Sequence, residues 1–431
     1  MKLNIEKFML AMCFLYAGCF ILVPFLGRTS EVILIFSFLL IINDSKYKLF
    51  KDKTIYLLLS SFIIIIISWI SIRFLQPELA VLYPDLRFFL RLFVFIPIAY
   101  WLKGNKKNIH VFLIISALAL VLATFTRGEG IAEWINGIKG QRVDFKLINA
   151  QHTTLLMAIA LLGIITYVIP QITSQWKNYT LRKKVVYFVL SGLGFIIFFT
   201  GVLISQTRGV WLALIIAFAI IGIIYLFRIN HISIKRVSVT VTLLLSFLTL
   251  QYFLPFDSIV QTRIKAESSV ITTTLEDGIE SVPFTSIGIR LHSWYEALKW
   301  IKERPILGSG ELAKKEIIQR SDFPQWVKSD FRHLHNYYIE VLVSYGFLGI
   351  SLIILFYFKL SKITYLLWKN NIIPSSLAYF TFSSLITLLV ANNFESYNSM
   401  WSGWIIHNIV FSTIYSYYIY RGENETTLHN I

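Results

Sequence analysis

Apolar runs of about twenty residues recur along almost the whole chain, separated by short breaks that hold charged residues, Gly or Pro. A helical run of this length crosses the roughly 30 Å hydrocarbon core of a bilayer. Charged residues make up 15% of the chain and hydrophobic residues 56%, whereas soluble domains are about 25% charged. These features exclude a soluble globular enzyme, a disordered chain and a disulfide scaffold. They predict an all-α polytopic membrane protein.

The runs predict about twelve transmembrane helices, of which only the second is short. The first run is expected to remain as an uncleaved span and not to act as a secretory signal. The apolar stretch 185–227 must hold two spans that meet near Ser205–Gly209. The predicted spans are 8–26, 30–43, 55–74, 88–102, 109–125, 150–170, 185–204, 209–227, 237–254, 337–358, 373–391 and 400–420.

The distribution of Lys and Arg predicts that both termini lie in the cytoplasm. With that orientation, the cytoplasmic segments hold 20 basic and 5 acidic residues, and the opposite side with its adjoining spans holds 9 basic residues. This asymmetry follows the positive-inside rule. The long loop 255–336 is balanced, with 11 basic and 11 acidic residues. The net charge of +16 therefore reports topology, and no nucleic-acid partner is expected.

The chain divides into three predicted regions, and its polar chemistry gathers on the outer side. Ionisable groups are scarce within the predicted spans, where Arg91 lies one turn inside the fourth. Transporters commonly carry such groups deep in their spans, so chemistry at the outer surface is the better prediction. The regions are 1–254 with spans one to nine, 255–336 as a large outer loop with the candidate motifs, and 337–431 with spans ten to twelve and a short tail.

Two parts of the long loop carry candidate functional residues. A helix is predicted over Ile289–Arg304, on or beside the membrane, with Arg290 in its first turn. His335 would stand at the N-terminus of the tenth span, where the helix dipole disfavours imidazolium, so a neutral His335 could act as a general base. The apolar stripe of the predicted loop helix is Leu291, Trp294, Leu298 and Ile301.

No metal or other cofactor is expected from the sequence. His333 and His335 are spaced as a zinc pair could be, but no third ligand occurs at a recognisable spacing. The direction of His333 is open, since an extended lead-in and a helix would point it differently. The outer face offers no Asp-x-Asp pair for a divalent ion and no glycine-rich phosphate loop for ATP.

Five short segments follow one another in a fixed order. They are Ser205-Gln206-Thr207-Arg208-Gly209, Gly288-Ile289-Arg290-Leu291 with Trp294, Pro305-Ile306-Leu307-Gly308-Ser309-Gly310, His335-Asn336-x-x-Ile339-Glu340, and Gly346-Phe347-Leu348-Gly349. This ordered set resembles the O-antigen ligase family, within the superfamily of lipopolysaccharide ligases, O-antigen polymerases and protein O-oligosaccharyltransferases. The motifs cover about residues 140–350, and the topology resembles the family over the whole chain.

The resemblance implies a GT-C-like helical membrane fold in the bacterial inner membrane, with a periplasmic loop and active site. It implies catalytic roles for His335, Arg208 and Arg290, and it matches Arg142 to another recurrent arginine. The implied reaction transfers O-antigen from undecaprenyl diphosphate to a lipid A–core sugar, so the expected partners are that donor, that acceptor and membrane lipids. Arginine forks would hold the diphosphate without a metal or ATP, and a single displacement with His335 as base would invert the anomeric centre.

Further residues are expected to bind substrate, and two other functions stay open. The expected binding residues are Arg142, Arg91, Asn336, Trp294 and Tyr338. An O-antigen polymerase would use the same lipid-linked donor, and twelve spans would also suit a lipid-linked oligosaccharide flippase. A protein O-oligosaccharyltransferase is less favoured because it tends to carry an extra C-terminal region. Aromatic residues that could stack on sugars, or simply anchor at the interface, are Trp294, Trp300, Trp326, Tyr337 and Tyr338.

Overall fold

The protein is all-helical wherever the computed structural model describes it, which is over residues 2–42, 52–227 and 278–421. No β-strand occurs in these residues, which confirms the predicted class. The predicted ninth span (237–254) and the first part of the long loop (255–277) lie outside the described residues. The α-helices, numbered in chain order, are α1 (Lys2–Leu22), α2 (Pro24–Ile42), α3 (Lys53–Leu75), α4 (Arg87–Leu90), α5 (Phe95–Leu102), α6 (Lys106–Thr126), α7 (Ile131–Ile138), α8 (Ala150–Leu162), α9 (Ile169–Ser174), α10 (Leu181–Ile204), α11 (Arg208–Phe227), α12 (Ser286–Glu303), α13 (Ala313–Arg320), α14 (Gln325–Asp330), α15 (Tyr337–Lys369), α16 (Ser375–Ala391) and α17 (Trp401–Arg421).

Eight helical segments of the described residues are long and apolar enough to cross a membrane. The chain is therefore a multi-pass membrane protein, with eight such segments where about twelve spans were predicted. The helix α16 is apolar but shorter than these eight. The helix α17 covers nearly the same residues as the predicted twelfth span but is not among the eight. The eight are Asn4–Leu22, Pro24–Ile42, Lys53–Leu75, Lys106–Thr126, Ala150–Ser174, Leu181–Ile204, Arg208–Tyr225 and Tyr337–Lys369.

The second span is longer than predicted, and its added residues 24–29 place Glu31 well inside the helix and not near its first residue. α2 begins at Pro24, since proline is favoured in the first turn of a helix, where its missing N–H is not needed. Glu31 therefore lies within α2, where it is buried, and its Oε2 is 3.5 Å from Nη2 of Arg91. The expectation that the spans hold almost no ionisable groups is wrong at this position.

The predicted fourth span, 88–102, is broken and is not one continuous helix. α4 ends at Leu90, a 3₁₀ turn covers Arg91–Phe93, and α5 begins at Phe95. The side chain of Asn408 in α17 substitutes for the lost helical bonds: its Oδ1 accepts from the Phe95 amide at 2.9 Å, and its Nδ2 donates to the Arg91 carbonyl at 3.0 Å. A break buried among helices persists only when its backbone groups find such partners.

The described part of the long loop, residues 278–336, folds into a small helical unit with its own core, which we call the loop domain. Its helix α12 packs against α13 and α15. Leu298 was expected on the buried stripe of α12 but is exposed, and Ile289 and Ala297 are buried instead. Trp294 and Ile301 of the predicted stripe do pack against this core, but the buried face is shifted toward Ile289, Ser293 and Ala297, which leaves Leu298 outside it. The core of the loop domain, with Val343 of α15, consists of Ile289, Ala297, Ala313, Ile317, Ile318, Phe323, Val327, Leu334 and Val343.

A backbone clamp fixes the loop domain to a break inside α15. At Gly346 the backbone turns to φ 61° and ψ −157°, which interrupts the helix. The Phe347 amide donates to the Pro305 carbonyl at 2.7 Å, and the Ser309 amide donates to the Val343 carbonyl at 2.7 Å. Both the Pro305–Gly310 and the Gly346–Gly349 motifs therefore serve the same contact. We call this contact the Gly346 clamp.

Replacing Gly346 by Ala is expected to destabilise the protein by roughly 2–5 kcal/mol, because a Cβ there combines positive-φ strain with overpacking. That Cβ would lie 2.4 Å from backbone atoms of Ile306, which cannot move like a side chain. Gly192→Ala is the matched control, since the space around Gly192 in α10 is open. Thermal unfolding in detergent checks the prediction, and equal midpoints for the two variants would contradict it.

Candidate active site

Two histidines and one buried carboxylate form the centre of the candidate site. His333 and His335 lie on the segment between α14 and α15, and Glu395 lies on the turn between α16 and α17. Oε1 of Glu395 is 3.0 Å from Nε2 of His333, and Oε2 is 2.9 Å from Nδ1 of His335. The Glu395 side chain is only 1% exposed, while His333 and His335 are 28% and 15% exposed. Both rings thus keep access to a substrate, and the carboxylate behind them is closed off.

Local sequence explains why His335 stands directly before α15. Asn336 caps this helix, with its Oδ1 accepting from the amides of Tyr338 and Ile339 at 3.1 and 3.2 Å. His335 itself has φ 52°, a left-handed conformation that turns the chain into the helix. The predicted position at a helix N-terminus is therefore confirmed.

A second buried carboxylate, Glu340, fixes the histidine segment against the Glu395 turn. Its Oε1 accepts from the Leu334 amide at 3.0 Å and from the Ser396 hydroxyl at 2.6 Å. From the other side, Nε1 of Trp294 donates to the Leu334 carbonyl at 2.8 Å. Leu334, which lies between the two histidines, is thus hydrogen-bonded at both its backbone N–H and its C=O. The surrounding structure therefore fixes the orientation of both histidine rings.

The pKa values of the two histidines shift in opposite directions, although Glu395 favours the protonated form of both. Burial lowers the pKa of His335 below its ordinary value, and the bond to Glu395 compensates only in part. Burial also lowers the pKa of His333, but there the hydrogen bond to Glu395, together with the charges of Glu395 and Glu340, outweighs burial and the pKa rises. Burial would raise the pKa of Glu395, yet bonds from both histidines hold it well below its usual range. As the pH falls, His333 therefore protonates before His335, and Glu395 stays ionised.

Arg290 reaches this centre through the amide of Gln151. When that amide is oriented to satisfy both neighbours, its nitrogen donates to Oε2 of Glu395 and its oxygen accepts from Nη2 of Arg290 at 3.1 Å. Asn149 caps α8 and fixes Gln151, whose backbone amide donates to the Asn149 side chain at 2.8 Å. Arg290 also acts electrostatically on His335, where it lowers the pKa. The predicted arginine and histidine of the site are therefore close together.

The turn that carries Arg208 lies against the Glu395 turn. The predicted break in the stretch 185–227 is confirmed, because α10 ends at Ile204 and α11 begins at Arg208. A Cβ added to Gly209 would lie 2.8 Å from Cβ of Phe394, so only glycine allows this close approach. Gly209, the neighbour of Arg208, thus packs against Phe394, which directly precedes Glu395.

Arg142 stands beside an open cavity at the same end of the helices. Its Nε donates to the Ser205 carbonyl at 3.3 Å, and Arg142 and Arg290 both act electrostatically on Tyr397. The cavity has a volume of about 260 Å³ and is lined by Arg142, Val143, Asp144, Asn149, Ala150 and Gln151. Arg142 therefore lines this cavity directly, and Arg290 contacts its wall through Gln151.

The other expected substrate-binding residues have partners of their own within the protein. The Tyr338 hydroxyl donates to the Leu389 carbonyl at 2.8 Å, while Trp294 holds Leu334 and Asn336 caps α15. Arg91 contacts Glu31 and lies 4.4 Å from the ring centre of Trp404, so these contacts tie it to α2 and α17 and not to the histidines. Substrate binding by these residues stays a prediction.

Glu395 is the functional candidate that the sequence analysis missed. It lies 60 residues after His335, so no local spacing links them. A signal existed all the same, because Glu395 is the single acidic residue in the short connection 392–399 between two predicted spans. An isolated carboxylate at such a boundary is a candidate for a functional pair.

His333, His335 and Glu395 could also hold a metal ion, since one ligand atom from each lies within 4.8 Å of the others. The donors around the carboxylate fit a different arrangement better. Besides both histidines, the Ser396 amide donates to Glu395 at 2.9 Å, and the Gln151 amide donates to its other oxygen. A metal ion would have to displace hydrogen bonds that already satisfy both oxygens.

Comparison with known proteins finds similarity over part of the chain. Residues 193–354 match the family model described as O-antigen ligase. An uncharacterized protein of Haemophilus influenzae is 32% identical over 160 residues, which cover 35% of this chain and 37% of that protein. The alignment thus spans little more than a third of the relative's length. The family model covers Arg208, Arg290, His333 and His335, and it confirms the predicted resemblance to the O-antigen ligase family over residues 193–354.

Proposed function

We propose that the protein is an O-antigen ligase, an inverting glycosyltransferase that moves O-antigen from undecaprenyl diphosphate to a sugar hydroxyl of lipid A–core. The observation that carries the proposal is Glu395, which binds both histidines and is joined to Arg290 by one amide. This arrangement joins a candidate base to a candidate anion-binding group. The family match supports the superfamily, and the residue roles are our inference.

His335 is the proposed general base, and Glu395 sets its tautomer. Because Nδ1 of His335 faces the ionised carboxylate of Glu395, that nitrogen carries the proton and donates to Oε2. Nε2 then keeps its lone pair and accepts the proton of the acceptor hydroxyl. The imidazolium that forms during the step is stabilised by the negative charge of Glu395. His333, with its raised pKa, shares the same carboxylate and is proposed to position it.

The arginines are proposed to carry the departing diphosphate. The acceptor oxygen forms a bond to the anomeric carbon while the bond from that carbon to the diphosphate oxygen breaks, and the diphosphate leaves with the electron pair. Arg290, Arg208 and Arg142 supply fixed positive charge where negative charge accumulates, and guanidinium forks suit phosphate oxygens. One displacement inverts the anomeric centre, and the energy of the diphosphate linkage makes ATP unnecessary. The active site is proposed to face the periplasm, with both termini in the cytoplasm.

A defined transfer assay tests the proposal. Purified protein in detergent receives an undecaprenyl-diphosphate-linked glycan with a metal chelator, and lipid A–core is added to one of two parallel reactions. A product that appears only with lipid A–core is expected. Chain extension of the lipid-linked glycan without lipid A–core would identify a polymerase. If folded protein yields no product in either reaction, with or without added divalent metal, the transferase proposal fails and transport becomes the better hypothesis.

A further inference from the structure

A row of aromatic rings leads from the surface of the loop domain to His335. The Trp326 side chain on α14 is 50% exposed, and its ring centre lies 6.4 Å from that of Phe331. The Phe331 ring centre lies 5.8 Å from the His335 ring, with the planes at 70°. An exposed indole is thus connected to the proposed base through one intervening ring.

The contacts of the other four candidate aromatic residues separate them from Trp326. Trp294 uses its indole N–H to hold the Leu334 carbonyl, and Tyr338 uses its hydroxyl on the Leu389 carbonyl. Tyr337 is fully buried, and Trp300 packs against the core of the loop domain. Of the five, Trp326 is the one that presents a large exposed aromatic surface.

Contacts of the site run in one order, from Arg290 through Gln151, Glu395, His335 and Phe331 to Trp326. Cations suited to a diphosphate therefore stand at one end of this series and exposed aromatic surface at the other. His335 lies between them. A general base needs this position when it takes the proton of the acceptor hydroxyl as that oxygen attacks the donor. The aromatic end thus suits the substrate that brings the hydroxyl.

We propose that Trp326 and Phe331 form the binding subsite for the acceptor sugar, an inference that rests on the proposed function. A pyranose presents an apolar face of C–H groups that suits an aromatic ring, while its hydroxyls stay at the edge. Ser329 and Asp330 lie on the same turn as Trp326, with Oγ of Ser329 donating to Asp330 at 2.9 Å, so polar groups adjoin the ring. The acceptor sugar covers the indole and directs one hydroxyl toward His335.

Steady-state kinetics test this subsite, because KM can be measured separately for the acceptor and for the donor. Trp326→Ala is expected to raise KM for lipid A–core about 10-fold, since one stacking contact is lost, with kcat and the donor KM nearly unchanged. Trp326→Phe should retain most of the affinity. Tyr295→Ala is the matched control, because Tyr295 is 44% exposed on the same loop domain. A rise in the donor KM alone, or equal effects of Trp326→Ala and Tyr295→Ala, would overturn the proposal.

A binding measurement separates this proposal from the proposed function. Saturation-transfer NMR with the delipidated core oligosaccharide requires no turnover, so it reports the subsite even if no ligation occurs. Wild-type protein and Trp326→Phe are expected to transfer saturation to the C–H protons of one sugar, and Trp326→Ala should lose that transfer. If wild-type protein and Trp326→Ala give the same signal, or neither gives one, Trp326 serves the bilayer interface and the sugar subsite is refuted.

Discussion

Replacing Glu395 by Gln is expected to lower kcat for transfer about 10²- to 10⁴-fold. Gln has nearly the shape of Glu, but its amide nitrogen cannot accept from a ring N–H as each carboxylate oxygen does now. One histidine must then change tautomer, and if it is His335 the proton moves to Nε2 and the lone pair of the base is lost. The remaining neutral side chain also no longer stabilises the imidazolium.

The pH dependence of the Glu395→Gln variant distinguishes this mechanism from general damage to the fold. Glu395 raises the pKa of His335 against the effect of burial, so its removal should lower that pKa further. The acidic limb of the kcat/KM profile, where a base becomes protonated, is then expected to move to lower pH while the plateau falls. Glu296→Gln, at a more exposed carboxylate of α12, is the control with unchanged activity. A variant of normal thermal stability with wild-type kcat would refute the role of Glu395.

Replacing Arg290 by Ala is expected to lower kcat about 10²- to 10³-fold, the usual effect of removing one donor that stabilises charge in a transition state. Arg290→Lys keeps the charge but loses the planar fork, so it should recover only part of the rate. The loss should be smaller for a donor whose leaving group is intrinsically better, because less charge then needs stabilisation. Rates with such a donor and with the natural diphosphate provide the measurement.

Arg320→Ala is the control for Arg290→Ala, since Arg320 is an exposed arginine of the same loop domain that pairs with Glu316. Its removal should leave the rate within about two-fold of wild type, because exposed ion pairs contribute little. If Arg290→Ala reduces transfer no more than Arg320→Ala does, Arg290 does not act on the diphosphate.

Sequence patterns within about twenty residues predicted the helical class, the break at Arg208 and the position of His335 before a helix. Apolar length gave the helical class, and the break at Arg208 followed from two spans having to fit into 185–227. The position of His335 before a helix followed from polar residues that precede an apolar run, with Asn336 as the cap. These features depend on local hydrogen bonds and on burial, which a single segment carries with it.

Features that depend on contacts between distant segments could not be predicted. Glu395 joins His335 only when α16 and α17 pack beside α15, and the break before α5 requires Asn408 from the far end of the chain. Leu298 was misplaced because periodicity reveals that a helix has a buried face, while the partner decides which face that is. Sequence periodicity also could not fix the number of continuous helices, since the composition of residues 88–102 predicts one helix where the structure has α4 and α5.

The 60-residue separation between His335 and Glu395 has a consequence during biosynthesis. At roughly 5–20 residues per second, the ribosome adds Glu395 about 3–12 s after His335. In that interval the histidine segment, the Arg208 turn and α12 have been synthesised, but the carboxylate that joins them has not. Under the proposed function, the nascent chain therefore passes through a stage in which it carries the proposed base and arginines but not Glu395. The proposed transfer could then begin only after the turn that follows α16 has been synthesised and packed beside the histidines, which would couple the onset of activity to nearly complete insertion of the chain.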